Sequence, residues 1–364
     1  MNKYYFILSK ILRINYKSLK PLTNYSIILS TMLCVVFISI TLSITDGFKK
    51  NIISKIIHFD GYARLDYQEL SPNDLEYLDE YSDLVIKPYY EDQYIIKSNK
   101  DSELITLFSS YNIKEKISNM HFYYNDNSNN NNNNVYVGIG LKNKLFLDKN
   151  DSLSAVLINT NNKPFNILSI AGYFETGVPL FDNNVVIANI DNLNFHSELP
   201  DGYILSKESF NKLNGLLSTN IYTYNDRYYD FLKWLDSYDL PIYILLLFIL
   251  IVGLINNKFC YSIDIVNRKS DTHILNSIGF SYLEISYLYW YKFFLLNILG
   301  ILLGTAISLL ILNLELNFNF IKIPSDVYFT SSVPISFQLL NFLYAPVAIL
   351  LQVFYFTVFK YEVK

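Results

Sequence analysis

Pro21-Leu22-Thr23-Asn24-Tyr25-Ser26-Ile27-Ile28-Leu29-Ser30-Thr31-Met32-Leu33-Cys34-Val35-Val36-Phe37-Ile38-Ser39-Ile40-Thr41-Leu42-Ser43-Ile44-Thr45 is a run of 25 residues without a charge, bounded by Lys20 and Asp46. A helix rises about 1.5 Å per residue and needs about 20 mostly apolar residues to cross a hydrocarbon core of about 30 Å, so this run is long enough to span one. Three more charge-free runs lie further along: residues 240–257, 293–314 and 327–359, of 18, 22 and 33 residues. Together they predict membrane spans at 25–45, 240–257, 285–313 and 335–359. The expected fold is an α-helical membrane protein with four transmembrane helices and one large domain, 46–239, inserted between helices one and two.

The composition agrees with this division. Of 364 residues 51% are hydrophobic and 17% charged, whereas an average soluble domain carries about 25% charged residues. The net charge of -4 offers no basic face, so nucleic acid is not expected as a partner. The abundant Tyr and Phe look like the codon bias of an AT-rich genome and carry little functional weight. Cys34 and Cys260 are too few for a disulfide scaffold or a four-cysteine zinc site.

Charge bias sets the expected orientation, because Lys and Arg beside spans accumulate on the cytoplasmic side. The segment 1–24 holds Lys3, Lys10, Arg13, Lys17 and Lys20 with no acidic residue, which places the N-terminus inside. Four crossings return the tail 360–364 to the same side, and Lys360 and Lys364 against Glu362 agree. Domain 46–239, with 17 basic and 27 acidic residues, then lies outside, as does the loop 314–334. The first span is longer than a signal-peptide core and runs into Asp46-Gly47-Phe48 without a small-x-small cleavage site, so it reads as an uncleaved anchor.

Phe48, Ile52, Ile53, Ile56 and Ile57 stand at helical spacing and predict that the first helix continues as an amphipathic stalk. Beyond it the domain reads as mixed α/β, with strands at Tyr94–Lys97, Val135–Ile139, Leu153–Asn159, Ile167–Tyr173 and Asn184–Ala188. Helical patterns cover Ser71–Tyr81 and Ser206–Leu217, the first opening on a helix start, Ser71-Pro72-Asn73-Asp74. The run Asn129–Asn134 reads as a surface loop.

Segment 258–284 is too small for a catalytic domain and reads as a short helix-turn-helix at the membrane. Ile263, Val266, Ile274, Leu275 and Ile278 form its apolar face; Gly279 can end one helix and Ser281 can cap the next. Periodicity leaves two uses open, a lipid-facing amphipathic helix or a docking surface for a cytoplasmic protein. Gly300 and Gly304 form a small-xxx-small pair suited to close helix packing. No ionisable residue falls in the middle of a predicted span, which argues against an ion relay.

Chemistry of its own is not expected. The chain lacks G-x-x-x-x-G-K-[ST], Gly138-Ile139-Gly140 lacks the third glycine of a dinucleotide fingerprint, and no G-x-S-x-G or Cys/His arrangement offers a nucleophile. His58, His121, His196 and His273 are scattered without metal-ligand spacing. No catalytic, cofactor or metal residue is therefore assigned. Such a chain either senses and transmits without an ATPase, or is the passive half of a machine powered elsewhere.

One span, a large outside domain and three further spans resemble the MacB/FtsX-type ABC transporter permeases. Asn267-Arg268-Lys269-Ser270-Asp271-Thr272-His273-Ile274-Leu275-Asn276-Ser277-Ile278-Gly279 resembles that superfamily's coupling segment, and Leu299-Gly300-Ile301-Leu302-Leu303-Gly304 in the next span also fits. Three stretches are similar to the lipoprotein-releasing LolC/LolE branch: Asp46-Gly47-Phe48, Gly172-Tyr173-Phe174-Glu175-Thr176-Gly177 with Phe181-Asp182, and Ile323-Pro324-Ser325-Asp326-Val327-Tyr328 with Ser332-Val333-Pro334-Ile335. Asp271 stands where the family has Glu, Thr272 where it has an apolar residue, Phe280 where it has a small one, and Ser270 breaks the basic pair.

The resemblance implies a MacB-like periplasmic domain, a bacterial inner-membrane location, and a non-catalytic permease subunit of a lipoprotein-releasing ABC transporter. It implies a LolD-like ATPase that binds ATP and Mg, a second permease copy or paralogue, lipoprotein substrates, membrane lipids, and for one permease type the periplasmic carrier LolA. Arg268, Asp271, Ile274, Leu275 and Gly279 would face the ATPase. Phe174, Glu175, Gly177, Val178, Pro179, Leu180, Phe181 and Asp182 would form a carrier-docking hairpin with an apolar tip. Gly47, Phe48, Pro324, Asp326, Tyr328 and Pro334 are the remaining family-like positions. A MacB-like efflux permease or an FtsX-like regulator of a wall hydrolase are the alternatives within the superfamily.

Overall fold

A computed structural model describes residues 20–80, 86–97, 101–110, 121–124, 134–147, 152–157, 166–189, 199–323, 330 and 332–358. The chain divides into a helix unit, Met1–Lys49, Leu235–Lys322 and Ser332–Lys364, and a sheet unit, Lys50–Trp234 and Ile323–Ser331. The basic residues at 3, 10, 13 and 17, the tail 360–364, His196 and the Asn run at 129–133 lie outside the described residues.

The first helix, α1 (Lys20–Asp60), runs 41 residues without a break. At about 1.5 Å per residue it is about 60 Å long, twice a hydrocarbon core, so the expected stalk is continuous with the apolar stretch. Within the helix unit α1 buries Ile27, Thr31, Cys34, Val35, Ile38 and Leu42, a three-and-four spacing that makes one stripe. In the sheet unit its last turns bury Ile52, Ile56 and Phe59, and leave Lys50, Ser54 and His58 exposed.

Short helices of the sheet unit carry the caps that their sequences advertise. In α2 (Pro72–Glu80) the Asp74 amide donates to Ser71 Oγ and the Ser71 amide donates to Asp74 Oδ2, a reciprocal capping box. The Ser218 hydroxyl and amide also donate to Asp74, at 2.6 and 2.8 Å. These hydrogen bonds, led by that of the Ser218 hydroxyl, hold the Asp74 carboxyl well below the usual carboxylate range. A carboxylate favoured by folding contributes stability at neutral pH that is lost as pH falls through its folded-state range. Hydrogen exchange across 72–80 in the full chain is therefore expected to accelerate on acidification in wild type. In Asp74→Ala it is expected to be fast already at pH 7; equal protection in both proteins would show that the box carries nothing.

The strands are β1 (Ala63–Asp66), β2 (Ile86–Lys97), β3 (Ser102–Ser110), β4 (His121–Tyr124), β5 (Asn134–Gly138), β6 (Ser152–Leu157), β7 (Asn166–Glu175), β8 (Val185–Asn189), β9 (Gly202–Leu205) and β10 (Tyr222–Thr223). Five of them fall on the predicted strands; β1, β3, β4, β9 and β10 are additional to the prediction, and residues 158–159 of one predicted strand lie outside the described residues. One edge of β2 is covered by β3 along 89–97. The other edge is shared, residues 86–89 pairing with β9 and 94–97 with β6. Because β6 also pairs with β7, the strands β2-β3-β8-β5-β7-β6 close on themselves into a ring. Closure leaves those strands few unpaired edges, and side chains fill a ring this small. Its core includes Ile96, Ile105, Val135, Leu141, Leu168 and Val186. A second core gathers Ala63, Leu65, Leu78, Leu205 and Leu213 around the β9-β1-β10 arm.

Between strands lie α3 (Ile139–Leu145), α4 (Pro179–Asp182), α5 (Lys207–Leu213) and α6 (Tyr224–Arg227). The predicted helix Ser206–Leu217 is shorter in the structure, because Ser206 caps it and the chain leaves the helix at Asn214 before Gly215 at φ +91°. At Gly138 a Cβ would lie 2.3 Å from the Asp182 carbonyl oxygen, so glycine there lets the α4 turn sit directly on the end of β5.

Helix α7 (Tyr229–Ser237), whose first six residues belong to the sheet unit, precedes α8 (Asp239–Asn267), which continues ten residues beyond the charge-free run. In segment 258–284 the expected helix-turn-helix is α9 (Lys269–Ser277), the turn at Gly279 and the start of α10 (Tyr282–Phe318), capped by Ser281; the first third of the segment instead extends α8. The extension persists because Cys260, Tyr261 and Asp264 face inward while Lys258 and Phe259 face out. Helix α10 also outlasts the predicted span, ending where Asn319 turns left-handed and donates to the Glu315 carbonyl. Helix α11 (Leu339–Val358) buries Ala345, Ile349 and Val353 on one stripe. Among the described residues three helices, Leu22–Asp60, Tyr229–Asn267 and Tyr282–Phe318, are long and apolar enough to cross a membrane, and Leu339–Tyr355 is a shorter apolar helix.

Candidate functional site

The corner between α8 and α9 is one residue wide. Arg268 leaves helical geometry at φ -110°, and its carbonyl accepts from the Thr272 amide and hydroxyl, so the chain turns without losing hydrogen bonds. At the other end Gly279 adopts φ +96°, a conformation that suits glycine, and the Phe280 amide donates to the Leu275 carbonyl. Ser281 and Glu284 then form a capping box that starts α10. Leu275, Phe280, Ile285 and Tyr289 pack together, and the Thr272 and Tyr289 hydroxyls lie 3.1 Å apart. Helix α9 is therefore clamped to α10 along one face.

This clamp sorts the five predicted coupling residues. Ile274 is exposed, as is Gly279, and Asp271 is half-buried. Arg268 and Leu275 are buried, which corrects the expectation that all five face a partner; these two hold the segment to its own bundle. The outward face is Ile274 and Ile278 with His273, Asn276 and Ser277.

What Arg268 meets is a buried ion cluster that the sequence does not announce. Asp264 Oδ1 accepts from Arg268 Nε at 3.0 Å and from the Thr23 hydroxyl at 3.1 Å, and Oδ2 accepts from Lys292 Nζ at 2.5 Å. Arg268 is 5% exposed, Asp264 4% and Lys292 1%. Lys292 lies in the first third of the predicted span 285–313, outside its middle, and a facing carboxylate makes its burial tolerable. One signal does exist: Asp264 stands seven residues, two helical turns, after Asn257 on the buried side of α8.

Asn257 belongs to a second polar layer. Its Nδ2 donates to Asn297 Oδ1 at 2.7 Å, and to Gln352 Oε1 at 3.5 Å; the Thr31 hydroxyl reaches the same Asn297 oxygen at 3.0 Å. Asn297 in turn donates to the Phe293 carbonyl and Gln352 to that of Leu254. Each of α1, α8, α10 and α11 contributes one side chain to this layer.

Gly300 and Gly304 do what their spacing predicts. A Cβ on Gly300 would sit 2.7 Å from Thr31 Cβ and 3.0 Å from the Ile28 carbonyl oxygen, and one on Gly304 would sit 2.9 Å from the Met32 carbonyl oxygen. The two glycines admit α1 to backbone contact. Gly304→Leu is expected to cost about 1–3 kcal/mol by forcing the helices apart; an unchanged thermal midpoint in detergent would show that they do not meet there.

The stretch 174–184 is not a hairpin. Strands β7 and β8 do not pair with each other, because β5 lies between them. Its expected apolar tip is also corrected: Phe174, Val178 and Phe181 are buried, with Phe174 and Phe181 stacked on Phe59 at ring separations of 6.1 and 4.1 Å. Asp182 is buried too and accepts from the Thr176 amide and hydroxyl and the Gly177 amide, at 2.7 to 2.9 Å. The T-G…F-D pattern therefore builds a tight turn, with Gly177 at φ +73°. Leu180 is exposed there, while Glu175, Gly177 and Pro179 are half-buried.

Two distant family-like elements meet. Gly47 is buried, and a Cβ there would lie 2.1 Å from the Pro334 carbonyl oxygen. Around this contact the Ser336 amide donates to the Ser43 carbonyl, and Asn341 Nδ2 donates to Asp46 Oδ2 at 2.6 Å. Phe48 is half-buried beside them in sequence, and Pro324, Asp326 and Tyr328 lie outside the described residues.

Long apolar helices with buried polar crosslinks, beside a mixed sheet unit, fit a multi-pass membrane permease. No family model matches the chain. The lipoprotein-releasing system transmembrane protein LolC of Buchnera aphidicola subsp. Schizaphis graminum (strain Sg) is 22% identical over 344 residues, covering 84% of this chain and 81% of that protein. This likeness supports, at a distance, an ABC-transporter permease of the LolC, MacB and FtsX type, and with the apolar helices it fits an inner-membrane location.

Proposed function

We propose that the chain is the permease subunit of an ABC transporter that extracts lipoproteins from the inner membrane and hands them to a periplasmic carrier. The observation that carries this reading is α9, a short helix clamped to α10 with Ile274 and Ile278 left exposed on its outward face. An apolar pair presented on a fixed helix suits a groove on a partner ATPase, which would bind ATP and Mg and supply the energy. In this reading α1, α8, α10 and α11 are four spans, both termini and α9 are cytoplasmic, and the sheet unit is periplasmic, as the basic N-terminal segment favours.

The chain itself then performs no bond chemistry. Lipoprotein acyl chains would lie against apolar helix faces between this subunit and a second permease, each buried CH₂ contributing about 0.8 kcal/mol. Transport follows from a difference in lipid affinity between two conformations, driven by the ATPase. Carrier contact, where this copy makes one, would use the exposed Leu180 and not the buried Val178 and Phe181.

The test is affinity purification of the full chain from its native membrane. A P-loop ATPase and lipoproteins are expected in the eluate, and Ile274→Asp with Ile278→Asp is expected to weaken ATPase recovery by about tenfold or more. Undiminished recovery would remove α9 as the docking element. An outer-membrane channel or a wall hydrolase in place of lipoproteins would move the chain to the MacB-like or FtsX-like branch.

A further inference from the structure

We propose that Asp264 is the joint through which a push on α9 reaches α1, with Thr23 as the receiving residue. This positioning role rests on the reading that an ATPase docks on α9, and adds to it the route by which the load leaves that helix.

Helix α9 has no slack at either end. Its outer end is packed on α10 through Leu275, Phe280, Ile285 and Tyr289. Its inner end is Arg268, the corner residue, whose carbonyl is taken by Thr272 and whose guanidinium is fixed on Asp264. Any displacement of α9 therefore carries α10 directly by side-chain packing, and carries the corner with it. Helix α1 packs on α10 further along, at Gly300 and Gly304; at its start, beside the corner, Thr23 donates its hydroxyl to the same Asp264 oxygen that holds Arg268.

The chemistry of the cluster makes it a stiff connection. Around the one carboxylate of Asp264 stand two cations, Arg268 and Lys292, and a second carboxylate, Asp271, lies 3.9 Å from Arg268. Arg268, Asp264 and Lys292 are each at least nine-tenths buried, so separating them exposes uncompensated charge to a poorly solvated site. A cluster that resists separation moves as one piece, and the Thr23 hydroxyl hands that movement to α1. This is a contiguous chain of contacts whose role is decided by measuring coupling, not by proximity.

Pulsed EPR on the full chain with its co-purifying ATPase in lipid nanodiscs tests the joint, using nitroxides at the exposed positions Leu29 on α1 and Leu283 on α10. In the otherwise unaltered protein α1 and α10 move together, so the distance distribution is expected to be the same in nucleotide-free and ATP–vanadate samples. Thr23→Val keeps the side-chain volume and removes the hydroxyl; with as much ATPase recovered, it is expected to show a shift on adding ATP and vanadate, because α10 follows α9 and α1 does not. Thr23→Ser, which restores the hydroxyl, is expected to abolish the shift again. No shift in Thr23→Val, or a shift in Thr23→Ser equal to that in the valine variant, would overturn the joint. A shift of the same size in the unaltered protein would overturn it as well. Failure to recover an ATPase at all would overturn the docking reading, and the joint with it.

Discussion

Replacing Asp60 by alanine is expected to destabilise the sheet unit by about 3–5 kcal/mol, the range for removing one partner of a buried ion pair. Asp60 is the last residue of α1 and is wholly buried. It is paired with both Arg64 and Arg227, and the Tyr228 hydroxyl donates to it as well. Arg64 would keep Glu91 and its stacking over the rings of Tyr89 and Phe108. Arg227 would keep a hydrogen bond to the residue-60 carbonyl, at 3.3 Å, and its place over the Tyr228 ring, but no carboxylate among the contacts described for its charged head. The loss should therefore concentrate on the segment that carries Arg227. Hydrogen exchange on the full chain should rise most at β1 and at 224–237, and Asp60→Asn, which keeps hydrogen-bonding capacity but no charge, should fall between alanine and wild type. Unchanged protection in Asp60→Ala would show that the pairing contributes nothing.

A comparable loss is expected in the helix unit from Asp264→Ala. The substitution strands Lys292, 1% exposed, without its carboxylate, and leaves Arg268 only the more distant Asp271. The cost again falls at about 3–5 kcal/mol. Replacing all three ions separates the charge from the packing: Asp264→Leu with Lys292→Met and Arg268→Met fills similar volume without the buried ions and is expected to recover most of the loss. Thermal unfolding of wild type, Asp264→Ala and the triple variant in one detergent decides it. If the triple variant melts as low as Asp264→Ala, the cluster matters for its shape and not for its charge balance.

The helix unit was legible in the sequence because absence of charge is a local property, visible in any window of about 20 residues. Its helix ends were not, since Lys258 and Asp264 look alike as charges and only the tertiary packing turns one outward and buries the other. Capping signals read well: Ser71 with Asp74, and Ser281 before Glu284, act within four residues. Strand closure did not, because β6 meets β2 across some 60 residues and nothing in either strand names its partner. The 174–184 stretch shows the same limit. Four apolar residues at a turn suit an interface and a core equally, and the choice was made by Phe59, more than 100 residues earlier. Of the five residues proposed for coupling, Ile274 and Leu275 are adjacent and chemically alike, yet helical geometry turns them about 100° apart, so one is exposed and the other buried.

The polar layer of Thr31, Asn257, Asn297 and Gln352 bears on how the protein is made. In an apolar surrounding an amide without a partner is costly, and α8, α10 and α11 each bring one while α1 brings a hydroxyl. When α1 and α8 have left the ribosome, the partner for Asn257 has yet to be synthesised; Asn297 comes 40 residues later and Gln352 after a further 55. An intermediate that ends before α10 thus holds Asn257 without its amide partner; α10 brings that partner at 2.7 Å, and α11 adds a longer contact at 3.5 Å. The layer is completed in the order of synthesis, so truncation before α10 costs it more than truncation before α11.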